Sequence, residues 1–252
     1  MLLDLNMPPR TTGNLDDPRV VWVMDGVGEA MISNSEDYGF DAVDQLAVFP
    51  EGRFGDVLKF FDERQNEFSA VRAFVFFLFG AGEISQDLRS LEELTSSPIQ
   101  QFDDYFHPNG PRELPRHSAQ EVVDKFHGVV DRILAQFPTC SVFTTEPSLR
   151  RSKHGFAAAR AVEVGRRMKC RDGRHHHANV TRQLHSVVKS NADRLGGRYP
   201  INEEFFAANG VGLTPAALRS SFVRVASFVG VKMGLPGDWG DPGAIEGLKV
   251  AF

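Results

Sequence analysis

"AFVFFLF", residues 73–79, is an unbroken run of apolar residues rich in aromatic and β-branched side chains, and a glycine turn, "GAGEIS" (80–85), follows it at once. A strand with one wet face alternates apolar and polar residues. A continuous run of strand length instead predicts a strand buried on both faces, as in a parallel sheet covered by helices. "VVWVM" (20–24) reads the same way, and "QLAVF" (45–49) and "CSVFTT" (140–145) are shorter examples.

Between these runs the period changes to that of a helix. In "FGDVLKFFDERQ", Phe54, Val57, Leu58 and Phe61 recur at i, i+3, i+4 and i+7, which marks one buried face. In "SAQEVVDKFHGVVDRILAQF", Val122, Phe126, Val129, Val130, Ile133, Leu134 and Phe137 form one stripe, and Ser118 with Glu121 forms a capping box. A further helix is expected from about Asn179 to Leu195. Another begins with Thr214 as N-cap and Pro215 at the first helical position, then repeats Leu218, Phe222, Val225 and Val229. Alternating β and α elements imply an α/β fold, a three-layer α/β/α sandwich around a central parallel sheet of about five strands, flavodoxin-like in plan. The expected domain covers residues 19–230, with a tail at 1–18 and a Gly/Pro-rich tail at 231–252 in which Trp239 and Phe252 are candidates for docking it or for serving a partner.

Composition narrows the function classes. With 252 residues, 42% hydrophobic and 24% charged, the chain reads as a soluble globular protein of one large domain. It has no apolar run of about 18 residues, and "MLLDLNMPPRTTGNLDDP" has acids where a signal peptide is basic. No membrane partner is expected, and cytoplasm or nucleus is the expected location. Two cysteines, Cys140 and Cys170, support neither a disulfide framework nor a C-x-x-C metal pair, and both read as inert.

Ligands of such sheets gather beyond the carboxyl ends of the strands. The four stretches expected there are "MDGVGEAM", "FPEGRFGDVL", "FGAGEIS" and "NGVGLTPAAL". In this order they resemble the SGNH hydrolases, the GDSL-type esterases and lipases, and especially the compact versions in retroelement proteins and in the germ-plasm protein Oskar. The resemblance extends from about Arg19 to Val229. It implies a G-D-S after the first strand, a glycine after the second, G-x-N-D after the third and D-x-x-H before the last helix.

This chain departs from that pattern where chemistry is done. Asp25 matches, but Gly26 occupies the nucleophile position. Gly52 matches the glycine whose N–H would help bind an oxyanion. Gly80 matches, but Gly82 replaces the asparagine donor and Glu83 the following acid. Asn209 and Gly212 occupy the aspartate and histidine positions. Acyl transfer needs a nucleophile, a base and a group orienting the base, and all three are missing. No catalytic residue is therefore assigned. Two readings stand: a non-catalytic SGNH-like binding module, and a divergent esterase with rearranged residues. Ser33, Ser35, His107, His117, His127 and His154 lie outside the motif, and His127 falls on the polar side of its helix, a solvated position.

The charge is unevenly placed. From Arg150 to Arg198 there are 13 Lys and Arg against three acids, net +10, which leaves −15 on the rest of a chain whose total is −5. Within an expected excursion at 150–178, Arg150, Arg151, Lys153, Arg166, Arg167, Lys169, Arg171 and Arg174 are candidate phosphate contacts. The resemblance to Oskar implies RNA binding, so RNA or single-stranded nucleic acid is one expected partner, and a protein is another. The same residues also read as a solvated loop or an arm paired with the acidic body. With few aromatics here, base stacking is not expected and backbone contact is. His175, His176 and His177 read as a loop tract whose neighbours alternate sides, so no metal is expected. "GVG" and "GAG" lack the G-x-G-x-x-G spacing, and no cofactor is expected.

Overall fold

The computed structural model describes residues 19–26, 45–49, 52–90, 113–115, 117–147, 156–179, 214–234 and 249–251. The expected helix at 179–195, the turn with Asn209 and Gly212, and Ser33, Ser35, His107, Arg150, Arg151, Lys153, His154, Trp239 and Phe252 lie outside these residues, apart from Asn179 itself. In chain order the elements are β1 (Arg19–Met24), β2 (Gln45–Val48), α1 (Phe54–Glu63), β3 (Val71–Phe76), α2 (Ala81–Asp87), β4 (Leu88–Ser90) and β5 (Glu113–Pro115). They continue with α3 (Ala119–Gln136), β6 (Ser141–Thr145), α4 (Phe156–Arg167), β7 (His175–Asn179), α5 (Pro215–Met233) and β8 (Lys249–Ala251).

Six strands form the main sheet in the order β2-β1-β3-β6-β7-β8, with β4 and β5 in a separate antiparallel pair. The first five are parallel and have the 2-1-3-4-5 order of a flavodoxin-like sheet, and β8 closes the far edge antiparallel to β7. The continuous apolar runs are the central strands, and Val21, Trp22, Val23, Phe74, Val75 and Phe76 are fully buried.

Helices cover both faces of the sheet. On one face Phe61 of α1 meets Phe74 edge-on at 4.9 Å, and Phe126 of α3 stacks on Phe54 at 5.0 Å and meets Phe76 at 5.5 Å. On the other, Phe222 of α5 lies 4.5 Å from Trp22, and Phe228 lies 5.8 Å from Phe143. Each fully buried aromatic contributes about 1.5–3 kcal/mol by leaving water, so these rings fix the layers. The capping box forms as expected: the Ser118 hydroxyl accepts from the Glu121 N–H, and the Glu121 carboxylate accepts from the Ser118 N–H.

Four expectations change. The excursion is in its described part a β6-α4-β7 crossover, so residues 156–179 supply a helix and the fifth parallel strand. The histidine tract is that strand. Its alternation buries His175 and His177 on one face and turns His176 to the other, against Phe143 at 4.8 Å. His127 is buried rather than solvated, because the residue 168–174 loop covers that side of α3. At the carboxyl end of the chain, where a tail is expected, residues 249–251 add a strand.

Candidate functional site

A sheet of this order has its switch point between β1 and β3, where the chain leaves in opposite directions and a crevice opens at the carboxyl ends. Asp25 stands there, fully buried directly after β1. Its Oδ2 accepts the Ala81 N–H at 3.2 Å, a bond that spans the crevice to the first residue of α2. Gly52 fills the remaining gap. It has φ +58, and a Cβ built on it would lie 2.9 Å from the Asp25 Cβ and 3.3 Å from the Gly82 nitrogen, so the backbone approaches to a distance only glycine permits. The loops after the first three strands thus converge at Asp25.

Their reagents do not. The N–H of Gly52, the expected oxyanion donor, donates instead to the Phe49 carbonyl at 2.8 Å. Gly26 and Gly82 bring no side chain. Glu83 has a structural part: its Oε2 accepts the Phe54 N–H at 3.4 Å at the start of α1, whose N-cap residue Arg53 makes no side-chain cap bond, and its Oε1 pairs with Lys125 at 3.5 Å. The approach of the third loop is set by Leu78, a buried residue held at φ +52, a conformation costing roughly 1–2 kcal/mol outside glycine. Its N–H donates to the Thr145 hydroxyl at 2.7 Å, which ties the end of β3 to the end of β6. Gly80, at φ +109, then turns the chain into α2.

The described part of the basic segment lies at the end of α4 and in the loop after it. Arg166, Arg167, Lys169 and Arg171 are exposed. Arg171 pairs with Asp131 of α3 through two bonds of 2.9 and 3.3 Å. Arg174 donates to the Pro138 and Leu134 carbonyls at 2.8 and 3.3 Å, and its other guanidinium nitrogen lies 3.5 Å from Asp172. Arg167 pairs with Glu163 one turn back at 3.1 Å. Arg171 and Arg174 therefore clamp the loop to the body. Arg166, Arg167 and Lys169 face outward at a helix carboxyl end, where cations also complement the helix dipole.

The chain is similar to solved GDSL-type hydrolases. A GDSL-like lipase from Bacteroides thetaiotaomicron matches at TM-score 0.47 and 10% identity, over 82% of this chain and 88% of that one. A protein assigned as an acylhydrolase from Bacteroides fragilis matches at 0.47 and 10%, over 92% and 93%. One assigned as a platelet activating factor from Streptococcus pneumonia matches at 0.49 and 10%, over 88% and 86%. No family profile matches the chain, and no curated protein matches it in sequence. At this identity the likenesses assign no residue a role.

One polar cluster escaped the motif reading. Thr144 Oγ1 lies 2.9 Å from His175 Nε2 and 2.9 Å from His177 Nδ1, and the His175 Nδ1 accepts the Arg171 N–H at 3.1 Å. His127 stands beside His175, its Nε2 at 3.1 Å from the Lys169 carbonyl. Burial lowers all three imidazoles, His175 to about 3 and His177 to about 4, with the neighbouring histidines adding to the effect on these two. All are neutral near pH 7. Cys140 is buried and its thiol is pushed up to about 11, so it is no nucleophile. Among the described residues no three His, Cys, Asp or Glu side chains converge as a metal set, and no helix is long and apolar enough to cross a membrane. The sequence signal for the histidine cluster was the alternation 175, 177 within a strand, hidden by the absence of an apolar run.

Proposed function

We propose that this chain is a non-catalytic binding module built on an SGNH-hydrolase-like plan, and that its ligand is single-stranded RNA held by the backbone. The observation that carries the first half is the switch point. Asp25 is bonded to Ala81, the Gly52 N–H is bonded to Phe49, and Gly26 and Gly82 have no side chain, so among the described residues neither nucleophile nor oxyanion donor stands ready. The second half rests on Arg166, Arg167 and Lys169, which face water together at one end of α4. Phosphates neutralised by such residues release counterions, so affinity falls linearly with the logarithm of salt concentration.

The test has two arms. Purified protein is expected to leave short-chain aryl esters at the buffer rate and to resist labelling by a serine-directed fluorophosphonate. Stoichiometric labelling at one residue would instead favour the esterase with rearranged residues. In filter binding at three salt concentrations, RNA retention should fall with salt, and replacing Arg166, Arg167 and Lys169 together by Ser should flatten the slope. Arg171→Ser serves as a control for the clamp. Equal binding by parent and triple variant, or none at low salt, defeats the RNA reading and favours a protein partner.

A further inference from the structure

Besides the Arg171 and Arg174 clamps, residues 168–174 are held to the body by two imidazoles. The His127 ring of α3 donates from Nε2 to the Lys169 carbonyl at 3.1 Å, and the Arg171 N–H donates to Nδ1 of His175 at 3.1 Å. The second bond fixes a chain of others. A neutral His175 that accepts at Nδ1 carries its proton on Nε2, which donates to the Thr144 hydroxyl at 2.9 Å. That hydroxyl donates in turn to Nδ1 of His177 at 2.9 Å, and the other ring nitrogen of His177 donates to the Gly165 carbonyl in α4. A backbone donor at one end and a backbone acceptor at the other leave one direction for every proton. The chain of bonds closes only while both β7 rings are neutral.

A proton on His175 breaks this chain at the loop. It would sit on Nδ1, the nitrogen that accepts from Arg171, and would set two donors against each other. The groups around the rings decide when that happens. His175 faces Asp172 of the loop, Thr144 of β6, His127 of α3, and His176 and His177 of its own strand. His127 faces Arg171 of the loop and Asp131 and Asp124 of its own helix, while Lys232 of α5 faces His176. With the loop closed, burial outweighs the carboxylates and holds both imidazoles neutral, His175 down to about 3. With the loop open, burial is relieved and the carboxylates of α3 remain, so the open state takes up protons near the ordinary value of about 6.5. The closed state is therefore fully favoured above that pH and loses its advantage as pH falls toward the closed value. We propose that residues 168–174 form a strap that mild acid releases, with His175 as its latch and His127 as its second hold. The device is independent of the RNA reading and lies outside the four motif blocks.

The experiment is hydrogen exchange of the full chain at pH 7 and pH 5, with each rate corrected for the intrinsic pH dependence of amide exchange. Between these pH values the protection factor of the Arg171 amide should fall by up to about 25-fold through the His175 proton, and further through His127. At pH 5 it should stay well below that of Val75, fully buried in β3, which exchanges only when the whole fold opens. His175→Gln keeps an acceptor for the Arg171 N–H but takes no proton, and it should reduce the fall severalfold. His127→Gln, at the edge of the core, should diminish it as well, so a His175→Gln chain that does not fold leaves the latch testable. A constant protection factor in the parent, Arg171 exchanging only together with Val75, or an undiminished fall in either folded variant overturns the strap.

Discussion

At the switch point between β1 and β3 the protein answers its own polar groups. Asp25 is bonded to Ala81, Gly52 to Phe49 and Glu83 to Phe54 and Lys125, and glycine backbone packs where side chains would converge. At the ends of β6 and β7, two strands farther along the same edge, Asn179 Oδ1 is buried without a partner, while the His177 ring sits between the Thr144 hydroxyl and the Gly165 carbonyl. Leaving such an oxygen unanswered costs about 1–3 kcal/mol, so the second region is built at a cost the first avoids. The difference separates a crevice closed by backbone packing from a strand end whose polar groups are less completely paired.

The largest expected effect removes what both regions stand on. Phe126 joins Phe54, near the switch point, to Phe76 in the sheet. Phe126→Ala should lower stability by roughly 3–5 kcal/mol, and a melting point within a degree or two of the parent would refute the assigned layer.

The two glycine contacts test the comparison itself. Gly52→Ala puts a Cβ against Asp25 at a left-handed φ, so strain and overpacking add to roughly 3 kcal/mol. Gly165→Ala meets Glu146 at 2.5 Å but sits in a helix, where alanine regains about 1 kcal/mol, so a loss nearer 1–2 kcal/mol is expected. Urea titrations of both variants rank them, and the reverse order would mean that the β6–β7 end is the more rigidly packed one.

Acid should act at the polar end. The folded pKa values of His175 and His177, about 3 and about 4, lie below the unfolded value near 6.5, so the unfolded chain takes up protons first. Stability is then complete above about pH 6.5 and falls as pH drops toward 4, by up to about 1.4 kcal/mol per pH unit for each histidine. Urea midpoints at pH 7, 6 and 5 should decline, and a flat series would show that these rings are not held neutral in the fold. The smallest effect is none. Gly26→Ser places a hydroxyl beside Asp25 but supplies no base and leaves the Gly52 N–H on Phe49, so ester hydrolysis should stay at the buffer rate. A measurable gain would show that the crevice is still a catalytic cradle.

Much of this was legible in the residues. The runs at 20–24 and 73–79, the stripe of α3, its capping box and the Thr214–Pro215 start of α5 determine the α/β/α plan, because burial is the dominant favourable term and its period differs between strand and helix. That positions 26, 82 and 212 hold glycine is likewise a matter of sequence alone. Only the tertiary structure decided that "HHHAN" is the fifth parallel strand, that His127 is covered, that Arg171 and Arg174 are clamps and that the Gly52 N–H is taken. Each depends on partners up to 42 residues away, as with His127 and the Lys169 carbonyl, and hydrogen bonding between distant polar groups leaves no periodic trace in a chain.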